Sequence, residues 1–375
     1  MKNMCFYIGT LLIVLISIEV ISFILYHFNL TGFVHRPIYA QEHPVEYWRT
    51  EYHPWGAWRR KDARAIQEKS CFSVTYQSNE VGARDQPFDN TAEQRTIIAL
   101  GDSFAEGFGV EVEDRFDGYL EELPNTQVIN LGVAYHVGPV QYYLIYRHFK
   151  KEYAHTDVLV MFLPANDFGD NAPAQIKKLP NRYRPYYRPL ESGGYEIFYA
   201  RDAPDGEPSI AEVLKRSGLF DRVRIFLKTY TWSSGLIRQI VYIYRLNTYR
   251  LKSYSSVSKY FNPKEDELEA AIFFLEKIVQ EAEGRNVTIF IIPTLVDFLF
   301  ETEASIDSED SVVVRSMNAM AARNHNVAVI DGLKVMKRQT DDPVTLFLTC
   351  DPHWGPKGHE IAGSVLKKHM AISAP

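Results

Sequence analysis

From Thr96 onward the sequence alternates short runs of β-formers with stretches of helical period, which restricts the chain to an α/β fold with a parallel sheet covered on both faces. The runs are 96–100, 127–131, 157–163, 287–292 and 327–330. Between them the spacing predicts helices over 113–123, 139–153, 265–283 and 310–323. Tyr142, Ile145, Tyr146 and Phe149 mark one apolar face, and Leu268, Ile272, Leu275 and Ile278 another. Pro356 suits a first helical position and opens a last helix to about Met370. With right-handed crossovers, this order predicts a three-layer, flavodoxin-like sheet of strand order 2-1-3-4-5.

Two stretches interrupt the rhythm. Residues 29–92 form a juxtamembrane lead-in that carries Pro37, Pro44 and Pro54 with Trp48, Trp55 and Trp58, as expected of an irregular segment laid over the domain or the interface. Its second half, from Ser70 to Phe88, predicts a short strand and a turn leading into the core. Residues 170–262 predict an insert: a hairpin of 186–190 and 195–199 around Ser192-Gly193-Gly194, then basic, aromatic helices over about 210–228 and 233–252. Such a pair is read first as a solvated cap over the active site. A membrane surface or an anionic polysaccharide is the alternative partner.

The 24 residues from Cys5 to Phe28 are apolar enough to cross a bilayer as a helix, and no small-residue cleavage site follows them. The expected organisation is therefore an uncleaved transmembrane anchor at 1–28, the lead-in at 29–92 and a catalytic domain at 93–375. The short N-terminal tail favours a cytoplasmic N-terminus and an extracytoplasmic domain. Glu19, inside the apolar run, is either tolerated as a protonated acid or a handle for another membrane protein. A net charge of -6 argues against a dedicated nucleic-acid binder. Of the three cysteines, Cys71 and Cys350 are read as unpaired buried thiols rather than as a bridge.

The first β-run ends abruptly in Gly101-Asp102-Ser103, which delivers Ser103 to the rim of the sheet where ligands of open α/β folds bind. A serine hydroxyl needs a base to become a nucleophile. Among the eleven histidines His353 is the best candidate, because Asp351, two residues upstream in an extended loop, points the same way and can fix its tautomer. His359 is the second candidate base, although its place inside a helix suits packing better. Asn166, directly after the third strand, offers a neutral amide donor for a tetrahedral oxyanion on the same rim. The glycines at 101–109 are neither a phosphate loop nor a dinucleotide fingerprint, and neither a metal nor a cofactor is expected.

Four blocks in this order, Gly101-Asp102-Ser103, Asn130-Leu131-Gly132-Val133, Asn166-Asp167 and the stretch from Asp351 to Gly363, resemble the SGNH hydrolase superfamily, also called GDSL-like esterases. The likeness covers roughly 96–170 and 264–370. It implies that Ser103 is the nucleophile, His353 the base and Asp351 its orienting acid. Asn166 and the backbone amides of Ser103 and Tyr135 would form the oxyanion hole. Tyr135 and Pro164 stand where the family has glycines. The shortened Asp351-Pro352-His353 spacing, followed by Trp354, resembles polysaccharide O-acetyltransferases such as those acting on alginate, so Trp354 and Asp167 are expected to contact substrate. The resemblance implies a serine esterase acting on an acylated glycan or lipid. The alternatives are an O-acyltransferase supplied by a membrane-embedded donor partner, and a non-catalytic glycan-binding protein of the same fold.

Overall fold

The computed structural model of the chain describes residues 2–28, 30, 51–69, 71–89, 94–134, 136–178, 182–203, 218–237, 240–241 and 258–372. Its centre is a sheet of β5 (Arg95–Gly101), β6 (Thr126–Asn130), β7 (Asp157–Phe162), β10 (Asn286–Ile291) and β11 (Val327–Asp331), all parallel and ordered β6-β5-β7-β10-β11. This is the expected 2-1-3-4-5 order. One row of apolar residues runs in register across it, Ile129–Ile98–Val158–Val287–Val327. Helices cover both faces, so the central strands bury almost every residue instead of alternating.

Among the described residues the helices with both ends described are, in chain order, α1 (Lys2–His27), α2 (Ser103–Glu106), α3 (Phe116–Glu121), α4 (Pro139–Phe149), α5 (Pro164–Asp170), α6 (Gln175–Lys178), α7 (Leu219–Tyr230), α8 (Glu265–Glu281), α9 (Leu295–Ala304), α10 (Val312–Ala322), α11 (Gly332–Lys337) and α12 (Pro356–Ile372). The faces are built by α4, α8 and α10 on one side and by α3, α11 and α12 on the other. The helix expected over 113–123 is split at Arg115. Its backbone is extended there because its guanidinium turns inward to Asp117 (3.0 Å) and Asp85 (3.1 Å). The stretch 345–349 is not a further strand of the sheet. A 3-10 turn at Pro343–Leu346 and a single antiparallel bridge between Phe347 and Trp354 close it into a turn of its own.

The lead-in is more ordered than its prolines suggest. It contains two hairpins, β1 (Glu51–His53) with β2 (Gly56–Trp58) and β3 (Arg64–Lys69) with β4 (Phe72–Gln77), of which only the last strand was expected. Trp55 and Trp58 are buried in the main core, beside Phe149, so residues 51–89 pack as part of the α/β domain. Pro37, Pro44 and Trp48 lie outside the described residues. The expectation of free thiols is overturned: Cys71, at the tip of the β3–β4 hairpin, is disulfide-bonded to Cys350 with Cα atoms 5.7 Å apart. A bridge closing so long a loop constrains the unfolded chain and stabilises by about 2–4 kcal/mol.

The insert begins with the expected hairpin, β8 (Pro185–Pro189) and β9 (Tyr195–Tyr199). It packs on α8 through Tyr195 and Phe273, with ring centroids 5.3 Å apart. The expected helix 210–228 is described from 218 as α7, and that expected over 233–252 as a helical stretch at 232–237 with 240–241; the rest of both lies outside the described residues. Trp232 rests on Phe23 and Tyr26 of α1, so this part of the insert is built onto the N-terminal helix. Within α1, Phe6–His27 is long and apolar enough to cross a membrane.

Candidate active site

β5 and α2 meet in a turn that only glycine permits. A Cβ on Gly101 would lie 2.5 Å from Cβ of Ala105 and 2.9 Å from Cβ of Met161, so the role of this glycine is close packing of α2 against β7. Asp102 caps α2, its carboxylate accepting from the Phe104 N–H at 3.0 Å, and Gly107 ends it with φ 79°. Ser103 is the first residue of the helix, half-buried, and its own N–H has no partner within the helix.

His353 reaches this serine from the turn after the disulfide. Its Nε2 is 2.7 Å from Ser103 Oγ, and its Nδ1 bonds to Oδ1 of Asp351, which also accepts from the His353 backbone N–H at 3.0 Å. The carboxylate can only accept from Nδ1, so Nδ1 carries the proton and Nε2 is left to take one from the hydroxyl. Phe104 and Phe108 hold the imidazole, with ring centroids 4.8 and 4.4 Å away. The other oxygen of Asp351 is paired with the ammonium of Lys69, contributed by β3. Burial pushes the Asp351 carboxyl up, but the bond and charge of His353 and the ammonium of Lys69 outweigh it and hold it at about 2.

Lys69 therefore helps His353 to keep Asp351 ionised. Its replacement by methionine is expected to lower kcat/KM on a small ester about tenfold. Without the cation the Asp351 carboxyl is held down by His353 alone, so its pKa rises from about 2 and the loss of activity that follows its protonation begins at higher pH. A pH profile of kcat/KM that is unchanged in Lys69→Met would contradict this role.

Of the three expected oxyanion donors, Asn166 stands at the rim on α5, half-buried, with Nδ2 donating to Asp102 Oδ2 at 3.0 Å and a second amide N–H remaining. The Ser103 N–H is the second expected donor. Tyr135 lies outside the described residues, but the loop that carries it is braced from below. Ala134 N–H donates to Glu106 Oε2 (3.0 Å), Arg59 donates to the Gly132 carbonyl (3.0 Å) and to Glu106 Oε1 (2.5 Å), and Gly132 N–H donates to Asn130 Oδ1 (2.9 Å). Asp102 is fully buried, and that burial raises its carboxyl to about 6 against the lowering by Asn166 and the Phe104 N–H.

The two expected substrate contacts are placed elsewhere. Asp167 is buried, with one oxygen accepting from Leu163 N–H (2.8 Å) and the other from Tyr142 OH (2.9 Å), so it shapes α5 instead of facing the rim. Trp354 is 0% exposed and packs edge-on against Phe104 and Phe290, which makes it a core residue. His359 is likewise buried on α12, and burial lowers its pKa to about 3. Lys69, Asp102, Arg59 and Glu106 were missed. Asp102 had a signal, its place in Gly101-Asp102-Ser103; the other three are joined to the site only by folding. Among the described residues, no group of three His, Cys, Asp or Glu side chains is arranged to hold a metal ion.

No family model and no curated protein matches the chain. Solved structures similar to it include a member of the lipolytic protein G-D-S-L family from Veillonella parvula, 12% identical over 75% of this chain and 100% of that one, with TM-score 0.39. A lipase/acylhydrolase from Enterococcus faecalis is 12% identical over 74% and 95%, with TM-score 0.37. A carbohydrate esterase family 2 enzyme with a carbohydrate binding domain, from Corynascus thermopiles, is 13% identical over 77% and 69%, with TM-score 0.38. The five-stranded parallel sheet with its flanking helices fits the SGNH α/β fold of the four sequence blocks. Likenesses at these TM-scores carry no argument about the reaction, which has to come from the geometry around Ser103.

Proposed function

We propose that the chain is a serine-dependent ester hydrolase of the SGNH type that forms an acyl-enzyme at Ser103. The observation that carries this reading is the continuous chain of bonds Ser103 Oγ–His353–Asp351, with Ser103 Oγ 2.7 Å from Nε2. Oγ attacks the carbonyl carbon of the ester while Nε2 takes its proton. The carbonyl electrons move to oxygen, where Asn166 and the Ser103 N–H stabilise the oxyanion. Collapse breaks the ester C–O bond, and the leaving alkoxide takes the proton from His353. Water then attacks the acyl-enzyme by the same route in reverse, releasing the acid and restoring Ser103.

An acylated glycan or lipid at a membrane surface is the proposed substrate class, and the membrane reading rests on the apolar helix α1. The Cys71–Cys350 bridge supports an extracytoplasmic domain, since disulfides persist in oxidising compartments. The burial of Trp354 removes the carbohydrate argument that rested on that residue. Transfer to a sugar hydroxyl, with an acyl donor supplied by a membrane partner, would share the first half-reaction. It is recognised by an oligosaccharide acceptor that raises turnover and appears acylated.

The test is covalent labelling of the full chain in detergent with a fluorophosphonate, the modified peptide being identified by mass spectrometry. Labelling is expected at Ser103 and is expected to collapse in His353→Ala. A folded protein that takes no label would leave a non-catalytic glycan-binding protein as the better reading.

A further inference from the structure

The helix α7 carries Leu219, Phe220, Val223, Phe226, Leu227 and Tyr230, spaced so that all six fall on one stripe. All six are exposed, with Leu219 and Phe220 at 80% and 84%. Arg224 and Lys228 lie to one side of the stripe and Arg222 to the other. An apolar stripe of this kind is covered by something, and the chain itself indicates what. One residue after α7 and Thr231, the backbone N–H groups of Trp232 and Ser233 donate to the carboxyl of Glu19 on α1, the latter at 3.1 Å. The Trp232 ring stands 5.3 Å from Phe23 and 4.8 Å from Tyr26. Ser22 of α1 and Gly235 of the insert are both buried. Small residues of this kind let two helices approach closely in lipid.

Glu19 precedes His27 by eight residues, which is about 12 Å along a helix. The hydrocarbon core of a bilayer is about 30 Å thick. Where α1 crosses a membrane, the chain at Trp232 therefore lies well inside that core. Glu19 supplies the acceptor that the first N–H groups of a helix would otherwise lack there. The helix that ends at Tyr230 leaves from the same depth, and its stripe has lipid beside it.

We propose that α7 and the stretch 232–237 are embedded in the bilayer beside α1, the apolar stripe of α7 contacting lipid chains. The inference rests on the reading of α1 as a membrane span. It makes the insert part of the anchor, holding the domain at a fixed attitude to the membrane instead of leaving it on a single tether.

The test uses the full chain in nanodiscs of phosphatidylcholine and phosphatidylglycerol, with Cys5→Ser and the native bridge retained. Single cysteines replacing Phe220, Phe226, Ile16 and Asp341 carry an environment-sensitive fluorophore, and the lipids carry a doxyl quencher on their chains. Strong quenching is expected at 220 and 226, comparable to that at 16 in α1, with none at 341 on the domain. Quenching at 16 without quenching at 220 and 226 would overturn the proposal while leaving α1 in the membrane. No quenching at 16 would overturn the membrane reading and the proposal with it.

Discussion

Replacing Ser103 by alanine is expected to lower kcat/KM on a small ester by a factor on the order of 10⁴ to 10⁶, with the fold retained. His353→Ala is expected to cost about as much, and the double variant no more than either single one. The reason is that Ser103 Oγ and His353 Nε2, 2.7 Å apart, act as one unit: the hydroxyl without its base is an ordinary alcohol, and the base without the hydroxyl has no proton to take. The residual rate would come from Asn166 and the Ser103 N–H, which remain in all three variants. Losses that added, each variant multiplying the other, would mean that the two residues serve separate functions and that the 2.7 Å contact is not the reactive one.

The parts of this molecule that were legible beforehand are those written locally. Each central strand is a continuous apolar run because both of its faces are covered, and each run ended within two residues of its expected limit. The turn after β5 is local too, since Gly101, Asp102 and Ser103 are consecutive. His353 and Asp351 are two residues apart, and an extended turn brings both to one side. What escaped is what folding brings together from afar. Lys69 pairs with Asp351 across 282 positions of sequence. The Cys71–Cys350 bridge spans 279 and lies beside the same acid. Nothing in the spacing of either residue marks the other. Trp354 and Asp167 depart from expectation for a related reason: a residue adjacent in sequence to a candidate site residue can point into the core, as both of these do.

Glu106→Ala is expected to destabilise the domain by about 3–5 kcal/mol and to lower kcat on small esters. Glu106 is fully buried, and its two oxygens hold Arg59 and the N–H of Ala134, immediately before Tyr135 in the loop of the second block. Its loss leaves the buried guanidinium of Arg59 without its carboxylate and frees the backbone at Gly132 and Ala134. Removing both charges is less costly than removing one, so Arg59→Met with Glu106→Ala is expected to be more stable than Glu106→Ala alone. The opposite single variant separates charge from packing. Burial already raises the Glu106 carboxyl, against the lowering by Arg59 and Arg84. In Arg59→Met that raising is opposed by less. A buried acid with a raised pKa contributes stability that is present at low pH and lost as pH rises through its folded value. Arg59→Met should accordingly be most destabilised near pH 8 and recover as the pH is lowered to 5, whereas Glu106→Ala should show no such recovery. Urea unfolding of both variants at the two pH values measures the difference. Equal destabilisation at both pH values in Arg59→Met would mean that Arg59 braces the loop by packing and hydrogen bonding to the Gly132 carbonyl alone, and not by its charge.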